Sequence, residues 1–150
     1  MAAKKFNPVF AENRKARHDY TVLETIECGI VLTGTEVKSV RHGSVSLSGS
    51  YAAVLGGELW LMAADIAAYK FGNRFNHEPK SRRKLLVHAK EVESLRLKTE
   101  AKGLTLVPLK MYLKGGRVKV AVGVCRGKQL HDKREALKKK ALRRDLERGA

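Results

Sequence analysis

No stretch of this chain approaches the ~20 apolar residues that a helix needs to cross a bilayer. The opening MAAKKFNPVF has no apolar segment of the secretory kind, so no leader is expected. Cysteine is scarce. Cys28 and Cys125 stand alone without a C-x-x-C pair, and are expected as buried thiols in a reducing cytoplasm rather than as a disulfide or a metal site. The five histidines are scattered and share no ligand spacing with each other or with the cysteines. Neither a metal nor a cofactor is therefore expected. There is no Walker A loop, no G-x-G-x-x-G, no H-E-x-x-H and no nucleophile elbow. Acidic residues are the last shortage: 15 Asp and Glu face 31 Lys and Arg, for a net charge of +16.

Such a field favours a phosphate backbone or an anionic membrane as partner. The membrane is disfavoured, because the most basic segment lacks the opposing Trp, Phe and Leu face of an interfacial helix. That segment is Arg126 to Arg148, with ten Lys or Arg against four Asp or Glu. Its apolar residues (Leu130, Leu137, Ala141, Leu142, Leu146) form only a thin stripe. Ordering a residue costs about 1–2 kcal/mol of backbone entropy, so the segment is expected to be mobile when free and ordered by a polyanion. The chain of 150 residues then divides into a folded body, 1–125, and a basic tail, 126–150. The apolar share of 43% is ordinary for a globular body.

Residues 1–19 read as polar and loose. The cluster Glu12-Asn13-Arg14-Lys15-Ala16-Arg17-His18-Asp19 is either a solvated lead-in or a phosphate clamp. Tyr20 to Leu32 reads as a strand with a bend or bulge at Gly29. Thr33-Gly34-Thr35-Glu36 fits a capping box that opens a helix to His42, stopped by Gly43, with Val37 and Val40 toward the core. Glu36 thus has a structural explanation. Tyr51 to Ile66 reads as a hairpin turned by Gly56-Gly57, apolar on both faces. Ala68 to Lys84 reads as a long loop that interleaves Tyr69, Phe71, Phe75 and His77 with basic residues. It is either a solvated excursion or an RNA contact. Leu85 to Lys102 should include a helix stopped by Gly103. Leu104 to Val124 reads as a second hairpin turned by Gly115-Gly116, with Pro108 at a bulge or edge.

These elements predict a mainly β fold: an OB-like six-stranded antiparallel barrel with two or three peripheral helices and a basic C-terminal tail. An open antiparallel α+β sandwich is the alternative. For activity, His18-Asp19 and His131-Asp132 look like catalytic pairs on paper, but adjacent residues generally point apart. No convergent constellation appears. A metal-independent ribonuclease is one rival reading, and a general basic RNA-binding protein is another.

Six segments in order resemble the small protein B family, the SsrA-binding proteins that partner transfer-messenger RNA in bacteria. They are NRKARHDY (Asn13–Tyr20), GIVLTGTEVKSVRHG (Gly29–Gly43), FGNRFNHEP (Phe71–Pro79), RKLLVH (Arg83–His88), GLTLVPLKMYLKGGRVKV (Gly103–Val120) and GKQLHDKRE (Gly127–Glu135). The resemblance implies an OB-like barrel and no enzymatic activity. It implies binding to the tRNA-like domain of transfer-messenger RNA and delivery of that RNA, with elongation factor Tu, to stalled ribosomes for trans-translation. RNA-binding residues would be Asn13, Arg14, Lys15, Arg17, His18, Glu27, Arg83, Lys84, Leu86 and His88. Without the family, Glu27 reads as an exposed structural ion pair and Leu86 as core.

The tail, again by resemblance, would act in the small-subunit decoding centre and the empty mRNA channel. Gly127, Lys128, His131, Asp132, Lys133 and Arg134 match the family pattern there, followed by the cations Lys138, Lys139, Lys140, Arg143 and Arg144. No contact is assigned to Leu130. As a helix, residues 135–148 would span about 21 Å.

Overall fold

Two Gly-Gly turns set the frame. Gly56 and Gly57 have φ of 59° and 76°, and Gly115 and Gly116 have φ of 58° and 73°. Two successive positive φ angles give the turn whose twist suits a two-residue hairpin, and glycine adopts them at little cost. The computed structural model describes residues 8–69 and 76–127. Its elements are β1 (Val9–Glu12), α1 (Arg14–Asp19), β2 (Tyr20–Ile30), α2 (Gly34–Arg41), β3 (Val45–Ser46) and β4 (Tyr51–Leu55). β5 (Glu58–Met62), β6 (Asp65–Ile66), β7 (Arg83–Leu86), α3 (Ala89–Lys102), β8 (Thr105–Lys114) and β9 (Arg117–Gly127) follow.

The hairpins β4–β5 and β8–β9 are joined into a ring through β7 and β2, in the order β8-β4-β5-β7-β2-β9, and β9 pairs back onto β8. Every pairing is antiparallel. This is the expected mainly β, six-stranded barrel, and its closure rules out the open sandwich. β1 adds to the free edge of β8 outside the ring, while β3 and β6 form a separate two-stranded sheet. β8 can hold both β4 and β1 on one edge because it pairs with β4 at Leu106 and with β1 at 110–112. Pro108, which has no N–H to donate, lies between those two stretches, and the register against β9 shifts between Pro108 and Lys110 as expected of a bulge.

The barrel interior holds Cys28, Leu59, Leu61, Leu85, Leu106, Met111, Val120, Val122 and Val124, all buried. Helix α3 seats Leu95 in the same core. Cys28 and Cys125 are free, buried thiols. Burial pushes the Cys28 pKa up to about 12, helped by the nearby carboxylates of Glu91 and Glu27, and burial also raises that of Cys125.

Four expectations need correction. Residues 9–19 are ordered as β1 and α1 rather than loose, because β1 finds a partner edge on β8. The bulge in β2 lies between Val22 and Glu24, not at Gly29. Gly29 is in regular register between Lys119 and Leu86, and a Cβ there would sit 3.2 Å from the Leu86 Cβ, so its role is close approach rather than a bend. The long loop ends sooner than expected, since Arg83 to Leu86 form β7 and close the ring. Of that loop, Lys70, Phe71, Gly72, Arg74 and Phe75 lie outside the described residues. Finally, β9 runs on through Arg126 and Gly127, two residues past the expected boundary of the body.

Candidate nucleic-acid interface

Strands β2, β9 and β8 lie side by side, so their alternation sorts residues into two faces. Cys28, Val120 and Met111 are mutual register partners and sit in the core. Glu27, Ala121 and Lys110 form the next row, which therefore faces outward. The Tyr112 hydroxyl donates to Glu27 Oε1 at 2.8 Å, and Lys114 Nζ donates to Oε2 at 3.1 Å. The Tyr112 hydrogen bond first, and Lys114 second, hold the Glu27 carboxyl below its ordinary pKa. Burial and the bond to Glu27 push the Tyr112 phenol up, so it stays a donor. Tyr112 lies opposite Lys119 and Lys114 opposite Arg117, while Lys110 Nζ stands 5.0 Å from the Tyr112 ring centroid. Apart from Glu27, this end of the face is cationic.

A groove of about 440 Å³ adjoins it. Ile30, Leu32, Val37, Leu86 and Val118 supply apolar lining, and Arg41, Arg117 and Lys119 supply charge. Leu86 is 50% exposed and lies across Gly29, so it is a surface residue rather than core. Lys84 is the other outward side chain of β7 and pairs with Glu58 at 3.0 Å. His88 is exposed at the N-cap of α3 and makes no side-chain capping bond.

Helix α1 covers the opposite end of the same face. It turns Ala16 onto Val107, Leu109, Cys125 and Tyr20, and leaves Arg14, Lys15, Arg17 and His18 exposed. His18 Nδ1 lies 3.0 Å from Asp19 Oδ1, which corrects the expectation that these neighbours point apart. The pair sits on an exposed helix, with the His18 side chain 79% accessible. Arg126 and Gly127 pair with Thr21 and Tyr20, so β9 delivers the chain to the tail beside α1. Gly127, expected as the first tail contact, is thus the last residue of β9 and pairs with Tyr20 at the end of the β2–β9 ladder.

Two expected RNA contacts are placed elsewhere. Asn13 is 5% exposed. Its Nδ2 donates to the carbonyls of Leu47 at 3.1 Å and Pro108 at 3.0 Å, and its Oδ1 accepts from the Ala16 N–H at 3.2 Å. The side chain caps α1 and ties it to the β8 bulge, with both Nδ2 hydrogens engaged inside the protein. Arg83 is 3% exposed. Its Nε donates to Glu36 Oε2 at 2.5 Å, its Nη1 to the Ala64 carbonyl at 2.7 Å, and its Nη2 to those of Glu78 and Pro79 at 3.1 and 3.0 Å. Facing inward from β7, it fixes the turn after β5 and the end of the loop before β7. The other expected body contacts, Arg14, Lys15, Arg17, His18, Glu27, Lys84, Leu86 and His88, all reach the surface. Those of the tail from Lys128 to Arg144 lie outside the described residues.

The cluster Lys110, Tyr112, Lys114, Arg117 and Lys119 was not singled out from the sequence. Its signal was there: basic and aromatic residues at every second position on both sides of Gly115-Gly116 put one polar face on a hairpin. Among the described residues, no group of three His, Cys, Asp or Glu side chains could hold a metal ion, and no helix is long and apolar enough to cross a membrane.

Comparison with known proteins adds identity to this geometry. The family described as "SmpB protein" matches residues 10–150. The SsrA-binding proteins of Staphylococcus aureus strains JH1 and Newman are each 55% identical to the chain over 148 residues, which is 99% of this chain and 96% of theirs. A chain solved in a study described as "tmRNA-SmpB: a journey to the center of the bacterial ribosome" is 51% identical. It superposes with a TM-score of 0.69, covering 87% of this chain and 94% of that one.

Proposed function

The chain belongs to the SmpB protein family, and we propose that it binds transfer-messenger RNA and delivers it to stalled ribosomes for trans-translation. The observation that carries this reading is the outer face of β2, β9 and β8. It offers cations for phosphates, one fixed carboxylate for a base edge, and an adjoining groove with apolar walls. Phosphate contacts position an RNA and base contacts specify it, and one continuous face supplies both kinds.

In finer detail, the tRNA-like domain of the RNA is the ligand of the body. Arg14, Lys15, Arg17 and His18 meet its backbone from α1, and Glu27, Lys84, Leu86 and His88 meet it at the far end of the face. Tyr20 to Glu27 spans roughly 23 Å of strand at about 3.3 Å per residue, a distance suited to a folded RNA rather than to one nucleotide. The tail, from Lys128 onward, senses the vacant decoding centre and mRNA channel, ordering only where the message is missing. Elongation factor Tu joins through the RNA. The chain acts in the cytoplasm as a binding protein, not an enzyme.

Truncation after Gly127 tests this division of labour. The shortened chain should bind the tRNA-like domain nearly as well as the full chain, yet fail to support tagging on stalled ribosomes in a reconstituted translation system. Loss of RNA binding and tagging together would refute it. Competition against bulk tRNA separates this reading from general RNA binding, which would show no preference.

A further inference from the structure

Two hydrophobic clusters hold the described residues together, and the smaller one sits where the tail begins. It comprises Ala16, Val107, Leu109 and Cys125, with Tyr20 packed against them, and is separate from the barrel core. Two bulges set it off. The register of β2 against β9 shifts between Val22 and Glu24, and that of β8 against β9 shifts between Pro108 and Lys110. Leu109 falls in the second bulge. Its Cδ1 and the Cys125 Sγ fill the space beside Gly123, where a Cβ would lie 3.0 Å from each.

Support thins towards the end of β9. Cys125 pairs with Val22 on one side and with Thr105, the first residue of β8, on the other. Arg126 and Gly127 lie past the start of β8. Among the described residues, their ladder partners are Thr21 and Tyr20 alone. Tyr20 follows α1 directly, and its N–H donates to the Ala16 carbonyl. The root of the tail is therefore held by the two residues that follow α1. That helix in turn rests on β8 through Ala16 and through the Asn13 bond to the Pro108 carbonyl.

A short helix, a small cluster and a ladder end beyond a bulge bury few apolar contacts, and such a segment opens at lower free energy than a core strand. The exposed side of α1 carries Arg14, Lys15, Arg17 and His18. A ligand that grips them with α1 in place stabilises the closed arrangement by mass action. We propose that α1 and residues 20–22 and 125–127 form one unit that opens independently of the barrel, and that RNA bound on α1 holds it shut and so fixes the root of the tail. The proposal rests on the reading above that α1 meets the RNA, and adds a coupling between that site and the tail.

The two cysteines report on the two clusters separately. Cys28 lies in the barrel core and Cys125 in the small cluster, both free and 0% exposed. The full chain is treated with iodoacetamide under native conditions, alone and with the tRNA-like domain of transfer-messenger RNA, binding being confirmed by gel shift. Alkylation of each thiol is followed by mass spectrometry, and deuterium uptake is measured over residues 125–127. In the free chain Cys125 should be alkylated about tenfold faster than Cys28 or more, since it needs only the local opening. A ligand that binds the closed form alone, at about 100 times its Kd, lowers the open population by about a hundredfold. Part of the RNA face lies outside the unit, so RNA should slow alkylation of Cys125 and deuterium uptake by about tenfold and leave Cys28 unchanged. Ala16→Gly should speed Cys125 about fivefold, the effect of a glycine within a helix, again without altering Cys28. Equal alkylation of the two thiols in the free chain, or bound RNA that slows both or neither, would overturn the proposal. So would slower alkylation of Cys125 with unchanged deuterium uptake, since the RNA would then only shield the thiol. No RNA binding at all would instead overturn the reading on which it rests.

Discussion

Glu36 and Glu27 each accept hydrogen bonds on both carboxylate oxygens, one of them from a cationic side chain, yet the fold presents them to opposite surroundings. Glu36 is 4% exposed. One oxygen accepts from the Thr33 N–H at 2.9 Å and the other from Arg83. Burial alone would raise its pKa, but the Thr33 N–H and Arg83 outweigh that and hold it low. Nothing outside the protein can reach it. Glu27 lies on the outer face of a strand, so its two donors come from the same surface and its side chain stays 37% exposed. The difference teaches that burial of the partner, more than the presence of an ion pair, separates a structural carboxylate from one able to read a ligand.

The largest test of that contrast is to break the buried pair. Arg83→Ala strands Glu36 and frees the carbonyls of Ala64, Glu78 and Pro79, so it should destabilise the fold by about 3–5 kcal/mol, read from the urea midpoint. Replacing both partners with apolar residues should cost clearly less than the sum of the single changes. Asn13→Ala comes next, at about 2–3 kcal/mol, because it removes the α1 cap and leaves two buried carbonyls unmatched. Glu27→Gln should barely move the midpoint, within about 1 kcal/mol, while RNA affinity drops; a large stability loss there would dissolve the distinction.

The two carboxylates should also differ in acid. In the folded chain both titrate below the ordinary glutamate value of 4.5. The unfolded chain therefore binds more protons in the acid range, as pH falls through that value. Their stabilisation is complete above it and is lost as pH falls through the lower folded values. Glu36→Gln should flatten the acid limb of the stability curve more than Glu27→Gln does, as measured by urea unfolding at stepped pH. The smallest effect is expected at Ala63, whose φ of 61° is left-handed, next to the carbonyl that Arg83 holds. Ala63→Gly should stabilise the fold by up to about 1 kcal/mol, as relief of the αL cost exceeds the added chain entropy. RNA binding should stay unchanged.

Much of the scaffold was legible because its signals are local. The Thr33 capping box, the two Gly-Gly hairpins, the α3 stop at Gly103 and the Pro108 irregularity each follow from a few adjacent residues, and all are present. β7 was not legible, since RKLL is too short to show a period and begins with two cations. Its identity depends on β5 and β2 flanking it. The same reasoning covers Asn13 and Arg83. A polar residue in a basic cluster reads as surface until partners more than a dozen residues away, such as Leu47, Pro108 and Glu36, are brought to it.

By itself the sequence determined the excess of positive charge, the turns, the caps, the strand alternation and the family. These depend on composition, on neighbours within a few residues, or on similarity along the chain. Only the tertiary structure decided which polar groups face water. Closing the ring turned Arg83 inward onto Glu36 and set Tyr112 and Lys114 beside Glu27, 85 and 87 residues away in sequence. The physical reason is that a side chain's availability depends on what the fold packs against it, and the strands that pack here come from opposite ends of the chain.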